Sequence, residues 1–349
     1  MAAAPPTPTP GTDEALTVSV IVPAYNAAAT LPPCLAPLLR MRHDGEIVDV
    51  VVVDDGSTDA TAEIAVQLGA WAIDSGGRLG PGGARNAAAQ GAAGNVLWFV
   101  DADVVVHDDA ARVLIEAFRT TGAAAVFGAY DDRPAAANFL SQYKNLVHRH
   151  HHSEGSGAAE TFWAGCGAVR KAVFLEVGGF DAARYPRPSI EDIELGWRLR
   201  GRGLSIWLTP ALQGTHLKVW HLPNLLQAEI FSRALPWSRL ALARGGAPAT
   251  LNFSRPERLR AVLALLVFAS VAPAVAGLVP WWLPVALLAS ALAANWKLLA
   301  LFRRRRGLAF ALAGGLLHQI YYLYSAAAFA WSWLEQCCGR RVGRENRAL

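Results

Sequence analysis

The sequence predicts an α/β domain with an open parallel sheet, followed by C-terminal transmembrane helices. Two observations carry this. From Val18 to about Leu222, short apolar runs closed by proline or acidic residues alternate with helical patterns, as in a doubly wound sheet. After Arg258 the apolar residues concentrate, and a chain of 349 residues with 53% hydrophobic and only 17% charged residues is too apolar for an average soluble enzyme, so part of it meets lipid.

Val18 to Val22, closed by Pro23, and Ile47 to Val53, ending on Asp54-Asp55-Gly56, read as buried parallel strands. Between them Thr30 to Arg40 carries leucines at helical spacing despite its prolines. Asp59 to Leu68 reads as a helix capped by Ser57 or Asp59. Strand, helix, strand, helix implies right-handed crossovers. Asn95 to Val100 is a third strand with acids at its carboxyl end, where open α/β sheets collect ligands. Ala123 to Tyr130 and Leu204 to Leu208 extend the sheet, and Glu191 to Arg202 reads as a helix.

The flanking segments differ in texture. Residues 1–15 are rich in Ala, Pro and Thr, without the basic start and apolar core of a signal peptide, and read as a disordered leader. The α/β domain then occupies 16–226. Residues 227–258 form an amphipathic segment suited to the membrane interface, with Trp237 among alternating apolar, Ser and Arg residues. Within 259–334, Leu259 to Val279, Trp281 to Phe302 and Leu308 to Leu334 each reach the roughly 20 residues that cross a bilayer. Residues 335–349 are a basic tail.

The formal charge of +4 does not imply a nucleic-acid partner. Its clearest cluster, Arg303 to Arg306, lies between apolar stretches without interleaved aromatics, and fits a cytoplasmic loop beside anionic headgroups. A cytoplasmic α/β domain and that loop make the first two stretches a hairpin; the third then either exports the basic tail or re-enters. The four cysteines, Cys34, Cys166, Cys337 and Cys338, have neither zinc-site spacing nor a disulfide framework.

The chemistry concentrates at strand ends. Asp101-Ala102-Asp103 follows Val96 to Val100, and two carboxylates one residue apart can share a divalent cation that bridges a diphosphate. Pro23-Ala24-Tyr25-Asn26, Asp54-Asp55-Gly56-Ser57 and Gly80-Pro81-Gly82-Gly83-Ala84-Arg85-Asn86 add an aromatic, an acid pair and an Arg: groups that stack on a base, accept its N–H and meet phosphate. The glycine segment lacks the Lys-Ser/Thr of a P-loop, and no Gly-x-Gly-x-x-Gly follows the first strand, which counts against ATPase and dinucleotide readings.

Taken together, Val18 to about Trp220 resembles the family 2 glycosyltransferases, whose GT-A fold is a Rossmann-like, mostly parallel sheet. The resemblance rests on Val-Ser-Val-Ile-Val-Pro-Ala-Tyr-Asn, Val-Val-Asp-Asp-Gly-Ser-Thr-Asp, Gly-Gly-Ala-Arg-Asn, Asp-Ala-Asp and Ser189-Ile190-Glu191-Asp192. It implies that Pro23, Tyr25, Asp54, Asp55, Arg85 and Asp101 bind a UDP- or GDP-sugar, Tyr25 and Asp55 at the base. It implies Mg2+ or Mn2+ at Asp103, the direct ligand, with Asp101. It makes the Glu191-Asp192 pair catalytic, with Asp192 as general base. On the residues alone that pair also suits a helix N-terminus. His216 is either structural or a third metal ligand. Trp163, Gly165 and Cys166 fall in the family's acceptor-side segment, where Trp163 stacks on a sugar or packs, and Cys166 reads as a small filler. His148 to His152 reads as a solvated segment rather than a metal tract.

The sequence departs from the processive members at Arg233-Ala234-Leu235-Pro236-Trp237, where Pro replaces the second Arg of their Gln/Arg-x-x-Arg-Trp motif. The expected function is therefore inverting transfer of a single sugar to a hydroxyl of a lipid or lipid-linked glycan, by a multi-pass protein of the cytoplasmic membrane. A polysaccharide synthase and a non-catalytic nucleotide-sugar-binding membrane subunit are the alternatives.

Overall fold

The computed structural model describes residues 15–243 and 255–339. Most of the expected leader, part of the interfacial segment and most of the basic tail lie outside the described residues. The chain forms two compact units, one comprising residues up to 136 with 152–219, the other comprising 137–151 with 220–339.

The first unit runs β1 (Val18–Ala24), α1 (Leu31–His43), β2 (Asp49–Asp54), α2 (Thr61–Gln67), β3 (Trp71–Asp74), α3 (Gly80–Ala89), β4 (Val96–Val100), β5 (Val104–Val106), α4 (Ala110–Thr121) and β6 (Ala125–Tyr130). After α5 (Phe139–Glu154), most of which belongs to the second unit, come β7 (Gly157–Ala159), β8 (Cys166–Arg170), α6 (Lys171–Glu176), α7 (Glu191–Gly201) and β9 (Ile206–His216). Among the described residues the strands form one sheet in the order β3-β2-β1-β4-β8-β6-β9-β5, with β7 beside β9.

β3, β2, β1 and β4 are parallel throughout, as the strand-helix alternation predicts. β8 then enters antiparallel to β4 and β6, while β9 runs parallel to β6. The order 3-2-1-4 reverses direction between β1 and β4, and such a switch point opens a crevice at the carboxyl ends of both strands. All five residues of β4 are buried. Trp98 and Val100 join the core beneath α1 and α4, with Leu35, Leu38 and Phe118. Leu97 and Phe99 face the opposite core, with Phe174 and Leu195. The continuous apolar run is thus a strand covered on both faces.

The second unit contains the first part of α5, then α8 (Leu222–Gln227), a π-helix (Ala228–Ala234), α9 (Leu235–Ala243), α10 (Arg255–Val275), α11 (Trp282–Ala294), α12 (Trp296–Arg306) and α13 (Leu308–Cys337). Among the described residues one helix, Pro256–Val275 within α10, is long and apolar enough to cross a membrane, or two if α11 and α12 make one span bent by 75°. The expected single stretch Trp281 to Phe302 therefore breaks at Asn295. The third stretch is one continuous helix, α13, but buried His318, Gln319 and Tyr322 lower its hydropathy.

Candidate active site

The crevice is built where β1, β2 and β4 release the chain. Pro23 lies in β1 opposite Val53, and Ala24 opposite Asp54, so the first two motifs leave the sheet side by side. Asn26 adopts a left-handed conformation with φ 50°. Its amide accepts from the Thr58 N–H at 2.8 Å, and its own N–H donates to Ser57 Oγ at 2.9 Å, tying the two loops together. Asp54 accepts from the Ser57 N–H at 3.1 Å and so shapes the same turn. Tyr25 stands 39% exposed with the Arg78 guanidinium over its ring, 4.0 Å from the centroid, a cation–π contact that covers one face.

Asp55 turns toward the start of α3. Its carboxylate accepts from the Leu79 and Gly80 N–H groups, both at 2.8 Å, and from Ser75 Oγ at 3.0 Å. A base amide therefore meets a carboxylate already holding three protein donors. The Leu79 and Gly80 donors stand at the start of α3, whose glycines and proline carry no helical signal. Gly80 has φ +77°, and a Cβ there would lie 2.5 Å from the Pro186 carbonyl oxygen, so only glycine fits.

α3 turns Arg85 inward. Its side chain is 4% exposed, with Nη2 2.6 Å from Asp101 Oδ1 and Nη1 3.4 Å from Glu191 Oε1. Buried on α3, Arg85 is a strut that joins the end of β4 to the start of α7. Glu191 is correspondingly buried, its second oxygen accepting from the Ser189 N–H at 2.9 Å. Of the Glu191-Asp192 pair, Glu191 is thus committed to the protein.

Asp103 lies 3.5 Å from His216 Nε2. The pair forms because β5 and β9 are antiparallel with Val104 opposite His216, and Leu217 N–H donates to the Asp103 carbonyl at 2.8 Å. Burial opposes ionisation of Asp103, but the hydrogen bond and charge of His216, with the charge of Lys218, outweigh it and hold the carboxyl below its ordinary value. Tyr130 stacks on His216, centroids 4.3 Å apart and planes within 11°, which fixes the imidazole. Among the described residues no group of three or more His, Cys, Asp or Glu side chains is arranged to hold a metal. Asp101, the expected third member, is turned to Arg85. A carboxylate and an imidazole 3.5 Å apart nevertheless fit a cation at about 2.1 Å from each, provided a diphosphate completes the shell.

Asp192 faces the acceptor-side segment. Its Oδ2 accepts from the Ala164 N–H at 3.1 Å and its Oδ1 from the Ile193 N–H at 2.8 Å. Burial, and then the neighbouring Glu191 charge, push its carboxyl up from the ordinary 3.8 to about 7. Gly165 carries the Trp163 ring directly against it: a Cβ at Gly165 would lie 2.5 Å from Trp163 Cζ2. Edge-on contacts to Tyr130 at 4.8 Å and His152 at 5.2 Å complete the packing of Trp163, which remains partly exposed. Cys166 does not reach an acceptor: it sits in β8 opposite Val100, fully buried, its thiol pushed up to about 12 by burial.

The histidine tract is corrected as well. His148 to His152 lies in α5, and against the expected solvated segment His152 is buried, its Nδ1 2.9 Å from the Gly128 carbonyl oxygen. Asn26, Arg78 and Tyr130 were not singled out in the sequence. Asn26 closes the Pro23-Ala24-Tyr25-Asn26 motif without a role of its own assigned there, and neither Arg78 nor Tyr130 carries a local signal.

Residues 19–178 match the model for glycosyl transferase family 2. The succinoglycan biosynthesis protein ExoO of Rhizobium meliloti is 36% identical over 119 residues, 33% of this chain and 33% of that protein. The poly-β-1,6-N-acetyl-D-glucosamine synthase of Staphylococcus aureus is 24% identical over 271 residues, 73% of this chain and 61% of the synthase. The chain thus spans from a third to about three fifths of the length of these relatives. Among solved structures, the mannosyltransferase PcManGT of Pyrobaculum calidifontis, in complex with GDP-Man and Mn2+, matches with a TM-score of 0.60 and 21% identity over 93% of this chain and 90% of its own. The chain is thus similar to glycosyl transferase family 2 over residues 19–178, on a GT-A-like α/β sheet.

Proposed function

We propose that the protein transfers a single sugar, with inversion, from a UDP- or GDP-sugar to a hydroxyl of a lipid or lipid-linked glycan at the membrane. The environment of Asp192 carries this reading. A carboxylate raised to about 7, anchored by two backbone N–H groups at the start of α7, suits a general base working near neutral pH. It takes the acceptor hydroxyl proton as that oxygen bonds to the anomeric carbon, while the bond from that carbon to the diphosphate breaks on the opposite face.

Tyr25 stacks on the base, and Asp54 and Asp55 shape the loops around it. Arg85 holds Asp101 and Glu191 in place. Asp103 and His216 would hold the divalent cation, Mn2+ or Mg2+, which supplies neutralising charge to the leaving diphosphate. The mannosyltransferase of shared fold is described with GDP-Man and Mn2+, which favours a nucleotide sugar and a divalent cation here. Membrane attachment through α10 and the bent α11–α12 pair would concentrate a lipidic acceptor.

A second reading, polymer synthesis, is favoured by similarity to the Staphylococcus aureus synthase. Against it, Pro236 stands where processive members carry the second Arg of their motif, and Arg233 is paired with Glu229. A screen of nucleotide sugars with Mn2+ or Mg2+ against a total lipid extract, read by mass spectrometry, separates the readings. A product one sugar heavier than its acceptor supports single transfer. A ladder of long products would establish the polymer reading, and donor binding without turnover on any acceptor would leave a binding subunit.

A further inference from the structure

The break between α11 and α12, within the second unit, is held by polar side chains that the sugar-transfer chemistry does not use. Arg260 of α10 donates from Nε to the Ala294 carbonyl at 2.9 Å and pairs with Glu257. The Tyr322 hydroxyl of α13 lies 2.9 Å from both a Glu257 oxygen and the Asn295 side-chain oxygen, and the Asn295 side-chain amide donates to the Ala291 carbonyl at 2.9 Å. Ala291 and Ala294 fall in the last turn of α11, where carbonyls have no helical partner. The helix therefore ends at a fixed point. Because these contacts tie the start of α10 to the end of α11, the two helices form a hairpin with its charged groups at the open end.

α12 leaves that end at 75° to α11. One side of it is packed: Leu298 and Phe302 are buried with Tyr143 and Leu146 of α5 and Ala311 of α13. Gly314 and Gly315 of α13 make the seat, since a Cβ on the first would lie 2.8 Å from the Phe302 ring and on the second 2.8 Å from Leu299. The other side is exposed, with Trp296 and Lys297 at the start and Arg303 and Arg304 at the end, spaced i, i+7 so that both pairs share a face. Neither Arg303 nor Arg304 has an acidic partner among the described residues.

Charged and amide groups are costly in hydrocarbon and belong at the level of the headgroups, so the open end of the hairpin marks the interface. With α11 along the bilayer normal, α12 lies about 15° from the membrane plane, 90° less 75°. We propose that α12 runs along the membrane interface instead of completing a span, and that Arg303 and Arg304 bind the headgroups of anionic phospholipids. This rests on the membrane attachment proposed above but not on the sugar, the acceptor or the transfer step. Basic residues in a last turn also suit the helix dipole, a role that would move stability without any lipid preference.

The test uses the full chain carrying Cys337→Ser and Cys338→Ser, with the buried Cys34 and Cys166 retained, in vesicles of equal parts phosphatidylglycerol and phosphatidylcholine. Flotation with the vesicles after an alkaline wash reports attachment. A spin label at Lys297→Cys and, separately, at Arg304→Cys reports depth through its accessibility to oxygen and to a nickel chelate. An interfacial α12 puts the two labels within about 3 Å of the same depth, whereas a continued span separates them by about 10 Å. Lipid retained after extraction in maltoside is then counted by mass spectrometry. Wild type should keep phosphatidylglycerol at least fivefold over phosphatidylcholine. The double variant Arg303→Gln, Arg304→Gln should fall below twofold, with a melting temperature within a few degrees of wild type. High salt should abolish the preference of wild type as well, which decides if the variant does not fold. Failure to float would overturn the attachment and this proposal with it. Flotation with labels about 10 Å apart in depth would overturn the interfacial helix alone. A preference absent in wild type, or undiminished in the folded variant or by salt, would overturn the arginine site.

Discussion

Two sets of carboxylates share one crevice and differ in who holds them. Asp55 and Glu191 are buried and bound by the protein's own donors: Leu79, Gly80 and Ser75 around one, Arg85 and Ser189 around the other. Asp103 and Asp192 are only partly enclosed, and each turns toward a place a ligand can occupy: Asp103 shares its face with His216, Asp192 with the acceptor-side backbone. Asp101 lies between, one oxygen on Arg85 and about a third of its side chain exposed. The two sets thus differ in burial rather than in the number of donors: Glu191 and Asp192 each accept two hydrogen bonds, but Glu191 is buried and Asp192 only partly so.

The largest effect that would break this division is on turnover. Asp192→Asn removes the base and should lower kcat by about 10^2–10^4-fold with little change in donor affinity, measured by steady-state transfer and by calorimetry with a nucleotide sugar. The same variant should be more stable than wild type at pH 8. The sign follows from the folded value of about 7 lying above the ordinary 3.8: the fold favours the protonated form, so the cost of ionisation is absent below about 4 and complete above about 7. Thermal melts at pH 5 and pH 8 check that the gain is larger at the higher pH.

Asp103→Ala should come next, with a loss on the order of 10^2–10^3-fold in kcat/KM and weakened Mn2+-dependent nucleotide binding in titrations. On the framework side Arg85→Met should cost about 3–5 kcal/mol of stability by leaving Glu191 buried without its cation, read from denaturant unfolding. Unchanged stability would place Arg85 with the ligand-facing set. For wild type, kcat/KM should fall about tenfold per pH unit below about 7, where Asp192 protonates. Trp163→Phe should have the smallest effect, less than about 1.5 kcal/mol of stability, with acceptor KM moved less than about twofold if the ring serves packing on Gly165.

The strand ends of this arrangement were legible because buried parallel strands write continuous apolar runs, which stop at or just before Tyr25, Asp54 and Asp101. What the pattern concealed has physical causes. α3 begins Gly-Pro-Gly-Gly, the poorest helix formers, yet Gly80 is needed against Pro186 and so the helix starts there. β8 is five residues long and buried on both faces, so Cys166 showed no alternation to separate core from acceptor side. The partnership of Asp103 with His216, and the stacking of Tyr130 on it, join residues far apart in the chain through β5, β6 and β9. In the second unit hydropathy averages over Asn295 and does not register a 75° bend.

The most direct test sets the two neighbours at the start of α7 side by side. Single-turnover sugar transfer and donor affinity are measured for Asp192→Asn and Glu191→Gln across pH 5 to 9. The division predicts that Asp192→Asn binds donor but does not turn it over. Glu191→Gln should keep kcat within about tenfold of wild type and, by removing the neighbouring negative charge, move the acid limb to lower pH. Loss of turnover in Glu191→Gln with retention in Asp192→Asn, or an acid limb unmoved by Glu191→Gln, would contradict it.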